Sequence, residues 1–298
     1  MRGSRLPQRL GRLLILCVLV AAWTLNLNAA ELPFAQGLLF QIERGGDPVG
    51  YLFGTIHSED KRVLVLPEPV EQAFIHSSRL YVEVDMAATN LLSSMAGMLL
   101  DDGRVIADIL EPELYRETVV AAAKLGLPEV ALQHYKPWAL AMLLSLPPSE
   151  TGQFLDLVLY QRAQSLSMEV AGLETVREQL DLFDSLPESD QVTLLRDALN
   201  NLEQLPTIYQ ALLDHYLKRD LQGLVEINER LTEGSVAELA ERFQIKAIDE
   251  RNQRMVNRLE AALVKGGVFV AVGALHLPGE QGMLRLLERR GYRIIRKY

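Results

Sequence analysis

The sequence predicts an α/β (α+β) protein: a central mixed β-sheet flanked by helices, with a largely helical insertion between two halves that each end in Gly-x-x-His. Three observations carry this. Short apolar or alternating runs of strand length recur along the chain, separated by stretches with helix start and stop signals. Two of these runs, Val49–Phe53 and Val268–Val272, lead into Gly54-Thr55-Ile56-His57 and Gly273-Ala274-Leu275-His276. Between about residues 186 and 265, leucine-rich sequence with interleaved charges reads as a run of helices or a helical cap. No low-complexity linker divides residues 31–298, so they are expected to form one domain.

Residues 1–30 stand apart. Arg2, Arg5, Arg9 and Arg12 precede the continuously apolar Leu13–Ala22, and Asn28-Ala29-Ala30 follows. This pattern predicts a secretory signal. Leu27 or Asn28 would stand where a cleavage site favours alanine, so an uncleaved anchor over residues 13–27 is the alternative. Either places the rest of the chain in the periplasm or elsewhere outside the cytoplasm. The single cysteine, Cys17, lies in the apolar run, so neither disulfides nor thiol chemistry is expected after it. The formal charge is −9, and without residues 1–30, which hold four arginines and no acid, it is −13. Such a balance disfavours a nucleic-acid partner.

Leu38–Glu43 and Pro48–Phe53 flank Arg44-Gly45-Gly46-Asp47, a hairpin signal. The second of these strands runs into His57. Pro67-Glu68-Pro69 opens a helix to about Ser77. Arg79–Asp85 (RLYVEVD) is the next strand, and its alternation puts Tyr81, Glu83 and Asp85 on one face. Asn90–Leu166 reads as mostly helical, with starts at Glu111-Pro112, Lys136-Pro137 and Phe154. Met168–Leu173 is β-capable. Glu174 follows it, as a site carboxylate or as an ordinary acid of the next helix's first turn. A helix from about Ile245 to Lys265 has an apolar stripe of Ile245, Ile248, Val256, Leu259 and Leu263. Asn252 falls on that stripe with Arg251 beside it, and buried polar groups of this kind need partners. Gly223 and Gly234 are possible breaks before it. The strand to His276, a helix over Glu280–Arg290 and a weak last strand, Tyr292–Lys297, complete the chain.

Histidines and a carboxylate at strand ends suggest a metal site. Neutral imidazole and carboxylate suit Zn, Mn, Co or Fe, and two histidines with one acid leave positions for water and substrate. On this expectation His57, His276 and Glu83 hold a divalent metal. Glu83 is a ligand or general base with Asp85 as its neighbour, and Arg251 or Asn252 binds substrate. No Gly-x-Ser-x-Gly elbow or phosphate loop appears. His76, His134 and His215 lie in helical stretches and are expected on the surface or satisfied in the core.

The segments YLFGTIHSED, RLYVEVD, VAGLETVREQL, DERNQRM and FVAVGALHLPGEQGMLRLLERRGYRI, in this order, resemble the TraB/GumN family with its TIKI-type branch. The resemblance implies a mixed α/β fold shared with erythromycin-esterase-like and ChaN-like proteins. For the TIKI branch it implies a metal-dependent peptidase. By position it assigns His57 and His276 to the two histidine motifs, Glu83 to the acid, Arg251 and Asn252 to the Arg-Asn motif, and Glu174 with Gln179 to a Gly-x-Glu…Gln motif. A peptide or other small substrate is expected. Two alternatives accompany this: a non-catalytic protein that binds haem, a metal or a glycan in the same pocket, and a metal-free hydrolase with His57 as base.

Overall fold

The structure, a computed structural model, describes residues 31–85, 96–147, 149–232 and 244–298. Residues 1–30, where an export signal or anchor is expected, the start of the helical stretch expected from Asn90, and Gly234 lie outside the described residues. Among the described residues no helix is long and apolar enough to cross a membrane.

Six strands form one mixed sheet: β1 (Leu39–Arg44), β2 (Asp47–Thr55), β3 (Arg79–Val84), β4 (Glu169–Glu174), β5 (Val268–Gly273) and β6 (Arg293–Arg296). Their order is β4-β3-β5-β2-β1-β6. β1 and β2 are the expected hairpin, turning at Gly45 and Gly46, both at positive φ. β6 pairs antiparallel with β1. β5 lies between β2 and β3 and is parallel to both; β3 is parallel to β4. Every residue of β5 from Val268 to Val272 is buried, as expected for a strand covered on both faces.

The register decides where the chemistry falls. Thr55 of β2 pairs with Gly273 of β5, and Val84 of β3 pairs with Glu174 of β4. Four parallel strands therefore end along one edge of the sheet. In open α/β sheets the crevice outside the carboxyl ends of parallel strands is where ligands bind.

Helices cover the sheet. Glu68–Ile75, Leu155–Ser165 and Glu250–Lys265 bury Phe74, Leu159, Met255 and Leu259 against it, and Leu205–Leu217 and Leu221–Thr232 add Tyr216, Leu224 and Ile227 to the same core. A second apolar cluster gathers Pro112–Lys124, Pro137–Leu144, Val176–Asp184 and Glu188–Asn201 around Trp138, whose ring stacks on Phe183 at 5.5 Å. The helical sequence from Glu188 onward thus contributes to both cores.

One difference from the sequence expectation matters for the site. The helix expected from Ile245 is a π-helical segment over Ile245–Asp249, continued by the α-helix Glu250–Lys265. Such a wide turn exposes carbonyls that a regular helix would occupy. Arg251 uses one of them, donating from Nη1 to the Ala247 carbonyl at 3.3 Å.

Candidate functional site

β3 delivers Glu83 to the centre of the sheet edge. It is only 9% exposed. Oε1 accepts from the Gly273 amide at 2.7 Å, which makes the glycine of the second motif an anchor for the acid. Oε2 accepts from Arg251 Nη2 at 2.6 Å and from Gln179 Nε2 at 3.3 Å. Burial alone would raise the Glu83 carboxyl, but the charge of Arg251 and the Gly273 amide outweigh it and hold it below its ordinary value. Glu83 is therefore ionised.

Arg251 is 1% exposed and bridges two acids. Its Nε donates to Glu174 Oε2 at 2.8 Å while Nη2 holds Glu83. Glu174, the last residue of β4, is buried; burial raises its carboxyl, Arg251 opposes this, and the charge of Glu83 adds to it. Gln179 comes from the next helix, which begins with a capping box: Thr175 accepts from the Glu178 amide and Glu178 from the Thr175 amide. Glu83, Glu174, Gln179 and Arg251 are brought together from three separate parts of the chain.

His276 is fully buried in a short 3-10 turn, Ala274–His276, that closes β5. Its Nδ1 lies 2.6 Å from Asn252 Oδ1, while Asn252 Nδ2 donates to the Gln281 carbonyl at 2.8 Å. With the amide oriented by Gln281, Asn252 offers an acceptor, so the His276 proton sits on Nδ1. Nε2 then carries the lone pair. It makes no hydrogen bond among the described residues and faces Glu83 Oε1 at 3.7 Å. Burial first, and then the charge of Arg251, push the imidazole down to about 3, so it is neutral. An imidazole lone pair opposite a carboxylate oxygen, both removed from water, is a repulsive arrangement that a divalent cation between them would relieve. The donor chemistry at His276 and Glu83 fits such an ion.

His57 is placed differently. It follows β2, the neighbour of β5, and its ring lies 4.0 Å, centroid to centroid, from Phe154. Among the described residues no three His, Cys, Asp or Glu side chains stand together as a metal-holding group, so the set His57, His276 and Glu83 is not assembled as one cluster. Arg251 and Asn252, expected to meet substrate, are instead buried and committed to Glu83, Glu174 and His276. Asp85 lies at the edge, accepting from Tyr160 at 3.3 Å.

Glycine stands where the two motifs touch. A Cβ at Gly54 would stand 3.1 Å from Ala274 Cα and 3.1 Å from Leu277 Cδ2, so a side chain there would have to push the second motif back by a few tenths of an ångström. Tyr216 donates to the Gly54 carbonyl at 2.8 Å.

Two features escaped the sequence. Thr55, last in β2, donates its hydroxyl to Asp156 Oδ1 at 2.7 Å. Glu59, two residues past His57, gathers the 149–152 loop: Ser149 Oγ at 2.6 Å, the amides of Glu150, Thr151 and Gly152 at 3.0, 2.7 and 3.1 Å, and Thr151 Oγ1 at 2.9 Å. Asp156 in isolation looks like any first-turn acid, and Glu59 like any exposed one. The cue available was Phe154, a large aromatic residue directly before a helix start.

Known proteins give the following comparisons. Metalloprotease TIKI1 of Danio rerio is 27% identical over 87% of this chain and 63% of that protein. Metalloprotease TIKI1 of Homo sapiens is also 27% identical, over 87% of this chain and 61% of its own length. An uncharacterised protein of Treponema pallidum is 23% identical over 83% of this chain and 79% of its own. The chain thus spans about six-tenths of the length of the TIKI1 relatives it matches. No solved structure matches significantly. The sequence pattern of the TraB/PrgY/gumN family matches from residue 38, just before β1, to residue 296, the end of β6. The chain belongs to the TraB/PrgY/gumN family.

Proposed function

We propose that this protein is a metal-dependent hydrolase of peptides acting outside the cytoplasm. The observation that carries the proposal is the pair His276 Nε2 and Glu83 Oε1, buried, electron-rich and facing each other across 3.7 Å. The names of the TIKI relatives, metalloproteases, support it. The acidic balance of the chain and the export-type start of the sequence are consistent with it.

In this proposal His276 and Glu83 would hold a divalent metal (Mn, Co, Zn or Fe). The metal, when bound, supplies polarisation of a substrate carbonyl and acidification of water. The protein's own residues do the rest. Asn252 keeps the His276 proton on Nδ1, so that Nε2 remains a donor of electrons. Arg251 keeps Glu83 ionised at neutral pH and spreads its own charge over Glu83 and Glu174. Gln179 and the Gly273 amide fix the Glu83 carboxylate in orientation. Arg251, Asn252, Glu174 and Gln179 are thus positioning residues.

The test is metal content by mass spectrometry on protein purified without a histidine tag or chelator, together with cleavage of a peptide panel before and after chelation. We expect near-stoichiometric metal and peptide cleavage in the wild type, both lost in His276→Ala and Glu83→Gln, and cleavage lost on chelation. Full cleavage after chelation would remove the metal from the mechanism and leave His57 as a base. Stoichiometric ligand capture without turnover would make the protein a binder.

A further inference from the structure

Resting on the hydrolase reading above, we propose that a basic cavity beside the end of β6 binds an acidic segment of the peptide substrate. The cavity, of about 400 Å³, is lined by Lys218 and Arg219, just past the helix Leu205–Leu217, and by Arg296, Lys297 and Tyr298, from the end of β6 and the two residues after it. The four cations are exposed, and none of their side chains has an ion pair or a hydrogen bond among the described residues. Asp220, the nearest acid in the sequence, is taken by Gln36, His215 and the Gly223 amide. On a chain of formal charge −9, four unmatched cations around one cavity are a local reversal of sign. Such a field concentrates ligands of the opposite charge.

Two of the cations are fixed in place. Arg219 has a φ of 60°, in the left-handed region that glycine usually fills after a helix. Its amide donates to the Tyr216 carbonyl at 2.8 Å, and its own carbonyl accepts from the Gly37 amide at 2.8 Å. Its guanidinium lies 4.5 Å from the centroid of the Tyr298 ring. The stem of Arg296 crosses Gly37, where a Cβ would stand 2.6 Å from Arg296 Cδ. Tyr298 is held in turn, its main-chain oxygen accepting from the amides of Leu38 and Leu39 at 2.7 and 3.1 Å. The helix dipole accounts for a cation at Lys218. It does not account for Arg296 and Lys297, which come from a strand.

The register puts this cavity on the same sheet edge as Glu83 and His276. Leu38 donates to Tyr298 and accepts from the Gly54 amide at 2.9 Å; Gly54 pairs with Val272. Val272 is level with Glu83, one residue beyond the Val82–Ala271 pair. Tyr216, bonded to the Gly54 carbonyl, ties the helix that ends at Lys218 and Arg219 to the same row. From β3 to β6 there are four strand spacings of about 4.8 Å, or about 19 Å, which an extended peptide rising about 3.3 Å per residue covers in about six residues. A peptide cut at Glu83 and His276 and laid along this edge meets the four cations there. Carboxylate side chains at that distance from the cut bond would accept charge-assisted hydrogen bonds from the guanidinium and ammonium groups.

The experiment is fluorescence anisotropy on chelated protein, which binds without cleaving. The probes are labelled peptides with paired glutamates about six residues to either side of an alanine centre, and the same peptides with glutamines. The wild type should bind the glutamate peptides about tenfold more tightly and lose that preference at high salt. Arg219→Gly, which keeps the left-handed turn, and Lys297→Gln should each weaken the glutamate peptides about threefold, and together about tenfold, with the glutamine peptides unmoved. Circular dichroism checks folding; if Arg219→Gly does not fold, Arg296→Gln with Lys297→Gln carries the test. Equal affinity for the two peptide sets, or a preference that survives in the variants, overturns the proposal. Capture of inorganic phosphate or phosphatidylglycerol vesicles that the glutamate peptides do not displace also overturns it. Cleavage by metal-loaded enzyme separates the two readings. The same kcat/KM on both peptide sets overturns the acidic-segment site and leaves the hydrolase standing. Selective binding with no cleavage removes the hydrolase and keeps the acidic-segment site.

Discussion

Asn252 Oδ1 and His276 Nδ1 lie 2.6 Å apart, although the two residues belong to different elements and neither touches solvent. That contact sets which nitrogen of His276 is free. Replacing Asn252 by leucine should free the ring to hold its proton on either nitrogen. We expect metal affinity to fall about 10–100-fold, as for other residues that orient a ligand. Titration calorimetry with Zn²⁺ or Mn²⁺ on stripped protein checks this, and an unchanged affinity would remove Asn252 from the role.

Arg251 is the only partner shared by Glu83 and Glu174 among the hydrogen bonds described above. Arg251→Met should leave two buried carboxylates without their shared cation, Glu83 keeping only the Gly273 amide and Gln179 and Glu174 only Arg254 at 3.6 Å, and cost about 3–5 kcal/mol of stability. Adding Glu174→Gln should recover part of the loss, because one buried charge is then removed. Urea unfolding of the single and double variants measures both. Equal stability of Arg251→Met and wild type would show that the acids find other partners.

The stability of chelated protein should depend on pH through two opposing groups. His276 takes a proton near 6.5 when unfolded but only near about 3 when folded, so its contribution weakens stability as pH falls below 6.5. Asp156 is protonated below about 6 when folded but only below 3.8 when unfolded, so its contribution is present at low pH and lost as pH rises through 6. Between pH 6 and 4 the two oppose each other. Melting temperature should therefore fall more steeply in Asp156→Asn than in wild type, and less steeply in His276→Gln. Parallel curves for the three proteins would contradict the buried, neutral imidazole.

Gly172 should be less tolerant than Gly54. A Cβ at Gly172 would stand 2.7 Å from the Asp85 amide nitrogen and 2.9 Å from the Glu174 carbonyl oxygen, both backbone. At Gly54 the nearest atoms are 3.1 Å away and include a leucine side-chain end. We expect Gly172→Ala to lose more than the roughly 1–3 kcal/mol typical of overpacking and Gly54→Ala to fall within that range. Thermal unfolding ranks them, and the reverse order would mean that the β3–β4 edge yields more readily than the motif contact.

Much of the site was legible because its residues interrupt strong patterns. The two histidines close apolar strands, Glu83 sits in an alternating one, and Asn252 breaks an apolar stripe. Each is polar where periodicity asks for an apolar residue or a turn. Asp156, Glu59 and the π-helical segment before Arg251 break no pattern. Their meaning arises from partners about a hundred residues away or from a one-residue change in helix pitch, and neither leaves a mark in local spacing. The same holds for the packing of His57 on Phe154, a partner nearly a hundred residues away.

The position of β5 has a consequence for how the chain acquires its fold. β2 and β3 are synthesised early but never touch; β5, which begins 184 positions after β3 ends, is the strand that joins them. Until it emerges, the nascent chain can make the β1–β2 hairpin, the β3–β4 pair and local helices but no continuous sheet. Contacts of such long sequence separation slow folding, because the intervening chain must be ordered before they form. The last thirty-odd residues therefore control when the earlier ones become a protein, and a ribosome-bound chain stopped short of them should remain protease-sensitive throughout.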